Sequence, residues 1–283
     1  MKSLLVALQF LTPIPVRLSS VEPKDLARSM RYFPLIGLLI GLFLVLVKML
    51  AFGPLNFSAT VTATLMLLAL TALSGGLHLD GLSDMCDGFY SSAVRPKGVT
   101  ADYTGQYSAK AELPKYAGRS KEDIVKIMRD PHVGVMGVIG IFFILLLKWS
   151  MLASLPLAMP YYSNIALIMI PFLGRWAMVI AAAAGPYAPA ASEGTGRPFV
   201  DNLTRKDVII STAIMMFVTL ALCIISGNFV WFALMIAALL VVMAMVMISR
   251  RMLGGITGDI LGAVNEVTEV AVLFGAYLIY LLR

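Results

Sequence analysis

The chain has 283 residues, 59% of them hydrophobic and only 13% charged, with a mean hydropathy of +0.88. A soluble domain of this size could not hide so much apolar side chain from water, so an ordinary globular fold is excluded. The net charge of +6 would suit a nucleic-acid binder, but the basic residues are placed as membrane topology requires.

In chain order, the first fifteen residues, MKSLLVALQFLTPIP, are apolar yet too short to cross a bilayer. No small-x-small cleavage site follows, and Pro13 and Pro15 break the run, so it reads as an interfacial or re-entrant helix. Apolar runs of spanning length then occupy Tyr32–Phe52, Phe57–Leu77, Val135–Leu155, Tyr161–Ala183, Val208–Ser226, Phe229–Ile248 and Gly262–Leu282. A bilayer core needs about 20 apolar residues per helix, and these runs lack the alternation of barrel strands. The expected fold is all-α: a polytopic integral membrane helical bundle of about seven transmembrane helices plus the short N-terminal helix. Residues 1–283 form one domain, with a cytoplasmic loop insertion at about 91–120, rich in Gly, Tyr, Lys and Ala. Cys86 and Cys223 lie too far apart in sequence to suggest a disulfide framework or a zinc site.

The connections near 53–56, 156–160 and 227–228 carry no charge. Of 22 Lys and Arg, only Lys48, Lys148 and Arg283 fall on that side, at helix ends from which long side chains snorkel. The positive-inside rule puts the charged loops in the cytoplasm and the C-terminus outside. All 16 Asp and Glu also lie on the charged side or in the helix portions nearest it, which the rule does not demand. That asymmetry points to a cytoplasm-facing site. Glu22, Asp25, Glu112, Glu122, Asp123, Asp201 and Asp207 read as ordinary solvated acids.

The run His78-Leu-Asp80-Gly-Leu-Ser-Asp84-Met-Cys-Asp87-Gly88 spaces three acids at i, i+4 and i+7, along one helical face. Like charges in register destabilise a helix, and a divalent cation with hard oxygen ligands removes that cost. Asp80, Asp84 and Asp87 are therefore candidate Mg²⁺ ligands, the plain alternative being a solvated helix end. His78 falls on the opposite face, as a packing histidine or a ligand. In Arg129-Asp130-Pro131-His132-Val-Gly134, a turn enters the third span. There Arg129 could grip a phosphate and Asp130 complete a metal site, or the pair could merely anchor and cap. Asp259 and Glu266 share a face in the last span, with Glu269 one turn beyond. Intramembrane acids are expensive and usually functional, although pairing with Arg175, Arg250 or Arg251 would also explain them. Arg175 itself needs an anionic partner, an acid or a phosphate. The loop Glu193-Gly-Thr195-Gly196-Arg197 offers glycine backbone and a guanidinium, a weak signal by itself.

The segments HLDGLSDMCDG, IMRDPHVGVMG, GRPFVDNLTRKD and GGITGDILGAVNEVTE, with the opening ALQFLTPIPV and the run RYFPLIGLLIG, resemble the cobalamin synthase family. The resemblance covers nearly the whole chain. It implies a membrane enzyme, an adenosylcobinamide-GDP ribazoletransferase with Mg²⁺ as cofactor. Its substrates would be adenosylcobinamide-GDP and α-ribazole or its 5′-phosphate, and its products the cobalamin and GMP. On that reading Asp80, Asp84 and Asp87 hold Mg²⁺, and Arg129, Arg175 and Arg197 meet phosphates. Asp259 contacts substrate, and Asp130 or Glu266 takes a proton from the attacking hydroxyl. The partners implied are the two substrates, the lipid bilayer, and a second copy or other enzymes of the pathway, with no nucleic acid. This sequence departs from the family pattern twice: the tract at 91–120 is long, and Arg129-Asp130-Pro131-His132 stands where Arg-Asp-Ser-Arg is expected. CDP-alcohol phosphotransferases arrange metal-binding aspartates similarly, an analogy of reaction class. A secondary transporter is the rival class, but it would place acids at mid-membrane within an inverted repeat, and no such repeat is visible.

Overall fold

The architecture comes from a computed structural model that describes residues 2–18, 20–94, 120–191 and 194–282. Its helices are α1 (Lys2–Leu11), α2 (Pro23–Ser29), α3 (Phe33–Phe52), α4 (Ala59–Ser74), α5 (Leu77–Val94) and α6 (Lys121–Met128). They continue as α7 (Val135–Ser154), α8 (Pro160–Ala183), α9 (Arg197–Asp201), α10 (Arg205–Ser226), α11 (Phe232–Leu253) and α12 (Gly258–Leu281). Among the described residues, six helices are long and apolar enough to cross a membrane, and α4 with α5 makes a seventh only as a bent pair. This is an all-α polytopic bundle, as expected. The ten residues of α1 are too few to cross, and α1 packs on α2 and α3 through Val6, Ala7 and Leu11. Most of the insertion at 91–120 lies outside the described residues, although α5 continues through Val94.

The expected single span Phe57–Leu77 needs correction. The chain stops α4 at Gly75 and turns by 87° into α5. Gly75 and Gly76 have φ of +59° and +72°, left-handed values that glycine adopts without the Cβ penalty. The aspartate-bearing helix is thus steered off the axis of α4 and laid against α7 and α12.

Helix α8 runs through the middle and is almost wholly buried, while α7, α10 and α11 turn apolar side chains such as Phe142, Phe217 and Met243 outward. Unpaired backbone cannot face lipid, so an apolar helical exterior is what a bilayer accepts. Close approaches depend on small residues. A Cβ on Gly81 would lie 2.7 Å from the carbonyl oxygen of Asp259, and one on Gly262 would lie 3.2 Å from the Cα of His78. This crossing brings α5 and the start of α12 together.

Several charges are placed otherwise than their positions suggest. Lys48 does not snorkel: it is buried and donates to Asn164 Oδ1 at 3.1 Å. Lys148 is likewise buried. Asp25 and Asp207 are not solvated; Asp25 accepts from Lys2 and from the Glu22 N–H, and Asp207 accepts from Arg31 and Thr204. Burial of a carboxylate demands such partners.

Candidate active site

Where α5 crosses the entry of α12, acids from two helices meet. Asp84 stands within electrostatic reach of Asp80, Asp87 and Asp259, and Asp259 within reach of Asp80. Asp80 and Asp259 line one cavity of about 130 Å³, whose lining also includes Phe10, Phe33, Phe199 and Met178. Among the described residues, no ion pair is made by Asp80, Asp84 or Asp259. Thr257 caps α12 by accepting from the Ile260 N–H at 3.3 Å, and its hydroxyl lies 3.4 Å from Asp259 Oδ2.

Asp87, the third member of the spaced triplet, has a second task. Its carboxylate accepts the Gly134 N–H at 2.8 Å and the Gly137 N–H at 2.9 Å. It therefore caps the N-terminus of α7, satisfying donors that no residue of α7 reaches. Among the described residues, no three His, Cys, Asp or Glu side chains close around a point that could hold a metal ion. An incomplete protein set is what Mg²⁺ usually takes, since it keeps waters and uses one or two carboxylates alongside substrate phosphates. The uncompensated Asp80, Asp84 and Asp259 fit a cation on those terms.

A loop covers this end of the bundle. Ala188 N–H donates to the Ile256 carbonyl at 2.9 Å and Ile256 N–H to the Pro186 carbonyl at 3.0 Å, stitching the segment after α8 to the segment before α12. The Gly258 N–H, Arg129, Arg197 and Asp259 lie within electrostatic reach of Tyr187 Oη. Burial pushes its phenol above the usual value. Gly196 abuts Gly258 so closely that a Cβ there would lie 2.6 Å from the Gly258 Cα. Thr195 and Gly196 thus form part of the cavity wall. Glu193 lies outside the described residues.

The other predicted site residues divide sharply. Arg129 is within electrostatic reach of Asp259. Arg197 is half exposed and paired with Asp201 at 2.8 Å. Asp130 is an exposed turn residue that accepts from the His132 N–H at 2.9 Å and meets its Nδ1 at 2.7 Å; these hydrogen bonds hold its carboxyl below the usual range. Glu266 and Arg175 are drawn away from the acid cluster into a sealed ionic group. There Lys148 donates to Glu266 at 2.6 Å and to Glu269, while Arg175 donates to Glu269. Asn265 Nδ2 completes it, donating to Glu269 at 3.1 Å. His78 is buried between this group and the cavity, with neither ring nitrogen hydrogen-bonded among the described residues.

Sequence reasoning missed Lys148, Tyr187 and the three phenylalanines. For Lys148 a signal existed, because a lysine inside a span needs an acid and two acids in the last span lacked partners. Nothing local marks Phe10, Phe33 or Phe199, which come from three separate elements.

The fold is that of a multi-pass helical membrane protein, with two acids and a cluster of aromatic side chains lining one cavity. The chain belongs to the cobalamin-5-phosphate synthase family, whose sequence model matches residues 3–101 and 115–277 and leaves the middle of the long tract unmatched. It is thus a membrane transferase of cobalamin biosynthesis. Relatives named adenosylcobinamide-GDP ribazoletransferase occur in Pseudomonas fluorescens Pf-5, 35% identical over 96% of this chain and 98% of the relative. Another, from Alkaliphilus oremlandii, is 32% identical over 99% and 98%. A third, from Fusobacterium nucleatum, is 29% identical over 97% and 96%. No solved structure matches the chain.

Proposed function

We propose that this enzyme transfers the cobinamide-phosphate moiety of adenosylcobinamide-GDP to the ribose hydroxyl of α-ribazole or its 5′-phosphate, releasing GMP. The relatives' names supply the reaction. The observation that ties it to particular residues is the meeting of Asp80 and Asp259, both lining one cavity, with Asp84 within electrostatic reach of both and all three free of ion pairs among the described residues.

The hydroxyl oxygen forms a bond to the cobinamide-bearing phosphorus as the bridging P–O bond to GMP breaks, and the hydroxyl proton passes to a carboxylate. Asp259 takes that role: it lines the cavity, and its partner Thr257 restrains it. Asp80 and Asp84 would hold Mg²⁺, which would supply charge neutralisation at the pyrophosphate. Arg129 meets the same phosphates. The backbone of Thr195 and Gly196 lets the donor approach without a side chain in the way. Glu266 and Arg175 hold the bundle, and Asp87 holds α5 to α7. In this reading the protein sits in the cell membrane with this end facing the cytoplasm and the end of α12 outside, which the positive-inside pattern of the connections supports.

The test is GMP release from adenosylcobinamide-GDP by detergent-solubilised protein supplied with α-ribazole and Mg²⁺. Stoichiometric GMP and cobalamin are expected, with both lost on chelation. No GMP from the folded protein, with either ribazole form, would overturn the reading. A cysteine after Arg283 that is labelled only from inside would overturn the orientation.

A further inference from the structure

The cavity lining is chemically mixed, and its cluster of aromatic side chains is not explained by phosphate chemistry. Phe10 from α1, Phe33 from α3 and Phe199 from α9 form a cluster with ring centroids 4.4–6.1 Å apart. Phe33 and Phe199 are buried, and Met178 adds a thioether to the same wall. Asp80 and Asp259 line the same cavity. At about 130 Å³ the cavity is close in size to the apolar cavity of about 150 Å³ known to hold benzene, room for the benzo edge of a fused ring rather than for a whole nucleoside.

We infer that this aromatic wall is the subsite for the base of the incoming nucleoside, the dimethylbenzimidazole ring of ribazole. The inference rests on the proposed transfer to ribazole and assigns one half of its substrate. Three bases compete for such a place, the guanine and the adenine of the donor and the benzimidazole of the acceptor; adenine, like guanine, carries polar ring edges that an apolar wall leaves unmet. Guanine carries donors and acceptors along both edges, and a wall of phenylalanine and methionine would leave them unmet at a cost. The methylated benzimidazole is apolar along its benzo edge and gains from ring–ring and sulfur–ring contact. Seated there, it directs its sugar toward Asp80 and Asp259, where the hydroxyl must react. The short helix α1, which cannot cross the membrane, then has a purpose: it carries Phe10 to the acceptor.

The test compares wild type with Phe10→Leu and Phe199→Leu in detergent, each first checked for an unchanged melting temperature. Ribazole binding is followed by its own fluorescence without donor, and KM is measured separately for ribazole and for adenosylcobinamide-GDP. The expected result is about tenfold weaker ribazole binding and a similar rise in its KM, with the donor KM within about twofold. A rise confined to the donor KM would place a base of the donor on the wall and overturn the assignment, as would unchanged ribazole binding in both folded variants. If wild type binds ribazole at the phenylalanines yet releases no GMP, the subsite stands and the proposed reaction falls.

Discussion

Helix α12 carries two sets of carboxylates that look alike in sequence and live in opposite surroundings. Asp259, in its first turn, faces the acids of α5 and makes no ion pair among the described residues. Glu266 and Glu269, two turns deeper, are buried and held by Lys148 and Arg175. Two acids and two bases make the deep group neutral. Stripping a charge of water costs several kcal/mol, so a buried carboxylate must be matched by cations and hydrogen bonds. The shallow group carries excess negative charge, which is tolerable only where water, a metal ion or a substrate can answer it. One helix thus serves as a lock at depth and as part of a binding site at its end.

The sharpest way to break this contrast is to remove the acid with most partners. Glu269→Ala strands Arg175 and Lys148 with one carboxylate between them. It should destabilise the protein by about 3–5 kcal/mol, since it leaves uncompensated buried charge, as read by melting temperature in detergent. Glu266→Gln should act in the same direction but more weakly. If either variant kept its melting temperature while losing turnover, the acid it replaces would belong to the site and the two-region division would fail.

Asp84→Asn and Asp259→Asn should do the reverse. Each should cut turnover by about 10²–10³-fold, the scale for losing one preorganised electrostatic group, with melting temperature unchanged or raised because repulsion is relieved. Mg²⁺ should raise the melting temperature of the wild type and not of Asp84→Asn, because a ligand stabilises only the state that binds it. Equal Mg²⁺ stabilisation of both proteins would remove Asp84 from the metal site.

Asp87 lies between the two regions in character. Asp87→Ala removes the cap on α7 and should cost about 0.5–2 kcal/mol, measurable as a shift in melting temperature, and should reduce activity less than Asp84→Asn does. Loss of activity as large as that of Asp84→Asn, with no loss of stability, would make Asp87 a ligand first and a cap second. Smallest of all, Arg197→Ala should change turnover only a few-fold, since its half-exposed pair with Asp201 is worth about 1 kcal/mol or less.

Much of this was legible in the order of residues. Apolar runs of spanning length announce a bundle because a bilayer core imposes its thickness on every crossing helix. The one-sided charges and the spaced Asp80, Asp84 and Asp87 pointed to one end, because unlike apolar contacts they have few places where they can be tolerated. The motifs that resemble the family run nearly the full length, and its sequence model matches them.

Tertiary structure alone decided which acids belong to which region. Asp259 and Glu266 are seven residues apart on one helical face, and periodicity names the face without naming the neighbour it meets at each depth. Near its start α12 crosses α5 at Gly81, so Asp259 joins Asp80 and Asp84; farther on Lys148 of α7 arrives, and Glu266 is neutralised. The bend at Gly75 and Gly76 puts α5 where it can make that crossing. The aromatic wall is a still more distant assembly, gathered from α1, α3 and α9. Local sequence determines helix, face and burial because those depend on neighbours within a turn or two. Pairing of charges and the lining of a cavity depend on which helices lie side by side, and that is settled only when the whole bundle packs.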